Sequence, residues 1–543
     1  MSFTLNEMNA KLDEPILSGL KVANLECGSP LMGCSEGTRE DILKNIDEWS
    51  TNFDAPNILW VKGQPGVGKS AIATDVVKHL LASKRLGSEF FFQRQASEVM
   101  TPNALWRIVA HNLSLRYPTI RSVLVSTLKS GNVNPMTPNI DLLFRHLIYE
   151  PLMQSSDIPD GRLPIIVIDG LDECGGLDGP RSKHRRNLVR TLKNWSRLPG
   201  KFKLIVTSRD ESDIEELFLK TDHHYIDILA EKSSEDIQNF FAEQLRQIAA
   251  GFKLLPLDWP GSERVKELSD MSGGLFIWAD TVIEFIRCGS PEPSLRRVLA
   301  GIEGSGGLNT LYNTVLHISF GKSSKEDIKN ILRVVGTTIL ARSALSLQSI
   351  ARLHSLEEST VEYIYKGLQS VMEYENGLRF RHQSFVDFLI DPDKCSLMFL
   401  IKRKEESQAL TLGCLRVMKD LLRFNICNVK SSYLRNSDIQ DLGSQEKECI
   451  PPYLFYSCRF WTSHLAETGF DTDVLGHIEY FMRNQFLFWL EILSITRQVN
   501  VGSNMLSLLI DWIPVSSWHT IALNGKLTQG ISPTVKGMRC QWQ

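Results

Sequence analysis

The polarity pattern changes character along this chain. Between residues 57 and 210, short apolar runs alternate with amphipathic stretches: NILWVK at 57–62, EFFFQ at 89–93, LPIIVIDG at 163–170 and FKLIVTS at 202–208. None alternates apolar with polar positions, so each predicts a strand buried on both faces. Such strands, separated by helical stretches, predict a parallel sheet with helices on both sides. Beyond residue 225 the strand signal fades, and Ile237, Phe240, Phe241 and Leu245 recur at the spacing of one helical face. Segments 289–293 (GSPEP) and 301–309 (GIEGSGGLN) read as inter-helix loops or a boundary. From Lys322, three amphipathic stretches lead into VMEYENGLRFRH, where Asn376-Gly377 predicts a tight hairpin turn. Helices followed by a small hairpin point to a winged-helix module. Residues 396–495 read as helices rich in Leu, Phe and Trp; beyond them, weak periodicity without a helix stop predicts a poorly ordered tail.

Composition adds bounds. At 543 residues the chain has room for three or four domains, and 43% apolar with 23% charged residues is ordinary for globular cores. Lys plus Arg number 60 against 63 Asp plus Glu, and the net charge of -3 gives no general attraction for nucleic acid or an anionic membrane. Ten scattered cysteines without a C-x-x-C pair support neither zinc sites nor a secreted disulfide framework. The N-terminus has no secretory or transit pattern, and no run approaches the ~18 apolar residues of a membrane span. A cytoplasmic protein is expected. No repeat of fixed period is visible.

The strongest chemical signal is GQPGVGKS, lying between the run NILWVK and the helical stretch AIATDVVKHLL. This is P-loop spacing in strand–loop–helix context. Gly63, Gly66 and Gly68 let successive N–H groups face phosphate oxygens, and the helix N-terminus adds partial positive charge. The expected nucleotide contacts are Gly63, Gln64, Pro65, Gly66, Val67, Gly68, Lys69, Ser70 and Ala71, with Lys69 on the terminal phosphates and Ser70 on magnesium. A glycine-rich helix-capping loop is the plainer alternative.

In PIIVIDGLDEC an apolar strand ends at Asp169, 100 residues beyond Lys69. Asp169 can hold the magnesium shell, while Asp172 and Glu173 can orient or deprotonate water; acids after a strand also serve simply as a solvated loop or helix cap. The run FKLIVTS leads into Arg209, placed either to stabilise a terminal phosphate or to pair on the surface with Asp210 or Glu211. Two further segments read as structural. RSKHRR (181–186) is expected to be a solvated loop, and the aromatics of YLFYSCRFWTSHL (453–465) to pack a helix.

Together, GQPGVGKS, IIVIDGLDEC and LIVTSRD resemble the NACHT group of signal-transducing P-loop NTPases of the STAND class, particularly its fungal set. GCSEGTREDILKNIDEW (33–49) resembles that family's entry element, implying base-side contacts for Thr38 and Arg39. SGGLFIWADTVIEFI (272–286) and GLNTLYNTVL (307–316) resemble its helical segment, and LRFRHQSFVDFLI (378–390) its winged-helix closing helix, where His382 would contact the β-phosphate of ADP. Sequence alone, without the resemblance, favours His382 as an ordinary surface or hydrogen-bonding residue.

The resemblance implies a short N-terminal segment (1–32), a nucleotide-binding α/β core (33–225), a helical domain (226–320), a winged helix (321–395), an all-α arm (396–495) and a tail (496–543). It further implies a slow NTPase switch, closed with ADP and opening with ATP to form a homo-oligomer, in incompatibility or innate-immunity-like signalling. Magnesium would be its metal, and GTP remains an alternative to ATP. The usual effector and repeat sensor are not evident, so the expectation is either a short family member acting with a separate effector or sensor partner, or an incomplete gene product. A non-hydrolysing scaffold and a P-loop small-molecule kinase are the competing readings.

Overall fold

The computed structural model describes residues 13–22 and 33–514, except 98, 156, 157, 159–162, 257, 302–306, 376, 431 and 432. It divides into two compact units between Leu311 and Tyr312, inside the helix Leu308–Phe320.

The first unit is built on strands β1 (Ile58–Gly63), β2 (Leu86–Phe91), β3 (Ile165–Asp169), β4 (Lys203–Ser208) and β5 (His224–Ile228). They form one sheet in the order β2-β3-β4-β1-β5, every pair parallel. Parallel neighbours require crossovers, and helices supply them. In β1, Ile58 and Trp60 face one core while Leu59 and Val61 face the other. Ile166/Ile168 against Ile165/Val167 in β3, and Leu204/Val206 against Ile205 in β4, do the same. Both faces are dry, which is why the runs show no in/out alternation.

Helices α1 (Glu40–Thr51), α2 (Lys69–Ala82), α3 (Pro102–Arg116) and α4 (Pro118–Lys129) belong to this unit. So do α5 (Lys183–Trp195), α6 (Ser212–Leu219), α7 (Ser234–Gly251), α8 (Ser262–Met271) and α9 (Phe276–Cys288).

Four of the strands match the apolar runs, with β2 starting three residues earlier than EFFFQ. The fifth corrects the expectation that strand structure ends at 225. HYIDI pairs with β1, Leu59 opposite His224, but His224, Tyr225 and Asp227 are exposed on the sheet edge, so no buried run announces the strand. The solvated-loop reading of RSKHRR is also corrected: Ser182 caps α5, and Arg185 is completely buried.

In the second unit, helices Lys325–Leu340, Leu347–His354 and Glu358–Gly367 precede an antiparallel hairpin, Met372–Tyr374 with Leu378–Phe380, and the helix Gln383–Leu389. Tyr374 pairs with Leu378, so the hairpin closes over positions 375–377, where the tight turn is expected. Asn376 lies outside the described residues. Gly377 is required sterically: a Cβ there would sit 2.8 Å from the Ala344 Cβ, at φ 149°.

The helix Pro452–Leu465 buries Leu454, Tyr456, Phe460, Trp461 and Leu465, so its aromatics are core. A helix at Val499–Trp512 corrects the expectation of a tail without order from 496; positions 515–543 lie outside the described residues. Among the described residues no helix is long and apolar enough to cross a membrane.

Candidate nucleotide-binding site

Strands β1, β4 and β3 lie side by side, so the segments leaving their carboxyl ends meet. In open parallel sheets this edge is where ligands bind. The segment after β1 is the glycine loop. Gly66 (φ 84°) and Gly68 (φ 97°) take the left-handed conformation, which admits glycine without strain. Helix α2 begins at Lys69 with Gly68 as its cap, no capping side chain and no acid in its first turn. Its partial positive charge is therefore not answered by an acid of its own first turn.

The loop is gripped from one side. The Gly66 carbonyl accepts from Ile277 N–H at 3.1 Å, and the Val67 carbonyl accepts from Arg39 Nη2 at 2.8 Å. In a planar trans peptide the following N–H points opposite its carbonyl, so the N–H groups of Val67 and Gly68 face away from those anchors. A Cβ on Gly66 would lie 2.0 Å from the Ile277 Cγ2. Arg39 is buried, stacks on Phe276 at 5.0 Å and is joined to Asp236, whose Oδ2 accepts from its backbone N–H at 3.3 Å. Thr38, also buried, donates its hydroxyl to the Ser35 carbonyl at 2.7 Å.

Lys69 Nζ donates to the carbonyls of Gly63 (2.7 Å) and Gln64 (2.9 Å). Burial draws its pKa down, while Asp172, Asp169 and Asp210 pull it up and Arg209 adds to the lowering. The sequence candidates thus act on one another electrostatically.

Asp169 ends β3 buried. Its Oδ1 accepts from the Thr207 hydroxyl at 2.5 Å, and Ser70 also hydrogen-bonds to its carboxylate. Burial raises its pKa, opposed by those two hydroxyls. A buried carboxylate beside a serine hydroxyl is a hard-oxygen donor pair of the kind magnesium takes, and a divalent cation would relieve the burial cost; Ser70 and Asp169 fit the expected metal.

Asp172 is buried too, and its carboxylate is engaged: Oδ1 accepts from Arg209 N–H at 3.0 Å and Oδ2 lies 3.1 Å from Arg209 Nε. Arg209 therefore pairs across to the β3 end, because β3 and β4 are neighbours. Glu173 accepts from Arg94 N–H at 3.0 Å, and burial, reinforced by the Asp172 charge, pushes its pKa up to about 7.

Sequence reasoning missed several participants. Thr207 left a signal as a polar position inside a fully buried strand. Arg94, Asp236, Phe276 and Ile277 left none, since their roles come from long-range contacts. His382 lies in the second unit, where it caps the helix Gln383–Leu389. Its Nδ1 accepts from Ser384 N–H at 3.1 Å and lies 2.6 Å from the Ser384 hydroxyl, which is 2.7 Å from the Tyr312 hydroxyl.

Residues 37–209 match the family described as Nephrocystin 3, N-terminal. Over 501 residues the chain is 25% identical to the vegetative incompatibility protein HET-E-1 of Podospora anserina, a match covering 85% of this chain and 35% of that one. The chain thus spans about a third of the length of that relative. Among solved structures, a STAND protein with a tetratricopeptide-repeat sensor, PH0952 from Pyrococcus horikoshii, aligns with TM-score 0.43 and 15% identity, over 91% of this chain and 60% of that one. The Drosophila ORC bound to DNA aligns with TM-score 0.29 and 12% identity, over 69% and 88%.

Fold and site define a P-loop NTPase module. Within that class its motifs resemble the NACHT type of signal-transducing P-loop NTPases, and its sequence is similar to the Nephrocystin 3, N-terminal family over residues 37–209 and to HET-E-1 over 501 residues.

Proposed function

We propose that this chain is an ATP/ADP-dependent signalling switch, with GTP as the alternative nucleotide. The observation that carries the reading is the meeting of Lys69, Ser70, Asp169, Asp172 and Arg209 at one sheet edge, beside an anion-ready helix start. In this reading the loop from Gly63 to Ala71 cradles the phosphates, and Lys69 exchanges its two carbonyl partners for terminal phosphate oxygens. Ser70 and Asp169 hold magnesium, which neutralises phosphate charge when bound. Thr38 and Arg39 lie on the base side of the loop. Glu173, poised near neutrality, is the base for water, and Arg209 reads the terminal phosphate.

The helix–hairpin–helix segment of 321–395 is read as the winged helix, and His382 as its ADP contact. Capping fixes Nδ1 as an acceptor, so the neutral ring carries its proton on Nε2, a donor suited to a phosphate oxygen. Loss of that bond would favour opening and assembly into a homo-oligomer. In cells the switch would act in the cytoplasm, in incompatibility-type signalling with a partner of its own.

Lys69→Ala is expected to weaken binding of a fluorescent ADP analogue about 100-fold or more, since it removes a charge-assisted contact and the cradle's fixed cation; unchanged affinity would sink the reading. His382→Ala is expected to speed ADP release and raise the oligomer fraction on size-exclusion chromatography with ATP and magnesium.

The second reading, a scaffold that keeps its nucleotide unhydrolysed, draws on two features: Asp172 is engaged by Arg209, and burial pushes the Glu173 pKa up to about 7. Phosphate release at background rate from both the parent and Glu173→Gln would favour it.

A further inference from the structure

Arg185 is the largest buried charge near the site that the proposed mechanism does not use. It stands in the first turn of α5 with its side chain fully out of solvent. Its Nε and Nη2 grip the Asp213 carboxylate at 2.7 and 2.6 Å, Nη2 lies 2.8 Å from Glu211, and Nη1 donates to the Asp172 carbonyl at 2.9 Å. Burying a guanidinium is costly unless all its donors are met, and a planar fork meets three directions where an ammonium would not.

Its partners are distributed in a telling way. Asp172 supplies its main chain to Arg185 and its side chain to Arg209. Glu211 and Asp213 follow Arg209 within four residues, on the segment entering α6. One guanidinium thus ties down both backbones that carry the Asp172–Arg209 pair. Release of either would let that pair drift.

We propose that Arg185 is a positioning residue of the nucleotide site: acting through Asp172 and Arg209, it sets how strongly a nucleoside triphosphate is preferred over the diphosphate. This rests on the nucleotide-switch reading and extends it to a residue that touches no phosphate. A purely structural role would affect both nucleotides alike.

The test is a double-mutant cycle in the full chain, with magnesium, using fluorescent ADP and a fluorescent non-hydrolysable ATP analogue. In the parent background Arg185→Lys is expected to reduce the triphosphate-to-diphosphate preference about tenfold and leave ADP affinity within about twofold. In an Arg209→Ala background the same substitution should change the preference less than about twofold. An unchanged preference in the parent, or an equal loss in both backgrounds, overturns the proposal. Should thermal melting show that Arg185→Lys does not fold, Asp213→Asn, a partly exposed partner, decides by the same two comparisons. A parent that binds neither nucleotide overturns the switch reading itself; one that binds both equally leaves that reading standing and overturns this one.

Discussion

Two lysines, at opposite ends of the sheet, are held almost identically. Lys69 donates to the carbonyls of Gly63 and Gln64. Lys203, at the start of β4, donates to those of Asn52 (2.7 Å) and Ala55 (2.9 Å), reaches that of Pro56 at 3.4 Å, and lies 4.8 Å from the Trp49 ring centre. Both have pKa values depressed by burial. The difference lies in their company. Lys69 feels three aspartates and an arginine, whereas the Lys203 shift has burial as its sole cause. Lys203 closes the end of α1 and the turn after it; Lys69 stands among charged groups from other segments. Burial of a charge marks constraint, and only neighbouring titratable groups mark chemistry.

The sharpest way to break this contrast is to truncate each lysine. Lys203→Ala leaves two or three carbonyls short of a donor and removes the cover over Trp49, at an expected cost of about 2–4 kcal/mol in denaturant unfolding of the nucleotide-free protein. Lys69→Ala should cost less than about 1 kcal/mol in the same measurement, because it frees fewer carbonyls and one of them, that of Gln64, is open to water. Equal losses would show that Lys69 is structural after all.

A second test concerns Glu173. If it takes a proton from water, turnover should rise with pH through about 7 and flatten above, and Glu173→Gln should lower turnover about 100-fold while removing that rise. Its raised pKa has a stability counterpart. The folded state binds more protons than the unfolded one between 4.5 and about 7, so the contribution is complete below 4.5 and is lost as pH rises through about 7.

The smallest expected effect belongs to Lys203. Its pKa falls from 10.5 to about 8, so the folded state binds fewer protons in that window, and stability should increase as pH rises from about 8 to 10.5. Lys203→Met should abolish that slope; a slope that persists would assign it to another group.

Burial decided which parts of the molecule were legible in the sequence. Strands β1, β3 and β4 are dry on both faces and appear as unbroken apolar runs, and the glycine loop is a local motif whose geometry comes from its own residues. β5 was illegible because an edge strand with exposed His224, Tyr225 and Asp227 has no buried pattern to display. Arg185 was misjudged for the opposite reason: local charge density suggested solvent, and the acids that bury it come from 211 and 213. The helix Val499–Trp512 does space its buried Gly502, Met505, Leu509 and Trp512 by three and four, but Gly, Ser and Asn among them lower the helical signal.

The grip of α9 on the glycine loop has a mechanical meaning. Ile277 hydrogen-bonds Gly66 and fills the place a side chain there would occupy. The helix it opens has 13 residues, about 20 Å at 1.5 Å per residue. A swing of about ten degrees about that root moves the far end by only ~3–4 Å, yet it tilts the N–H that holds the Gly66 carbonyl, and hydrogen bonds weaken steeply as they bend. Force applied at Cys288 would therefore reach the glycine loop as torque on the Gly66–Val67 peptide plane.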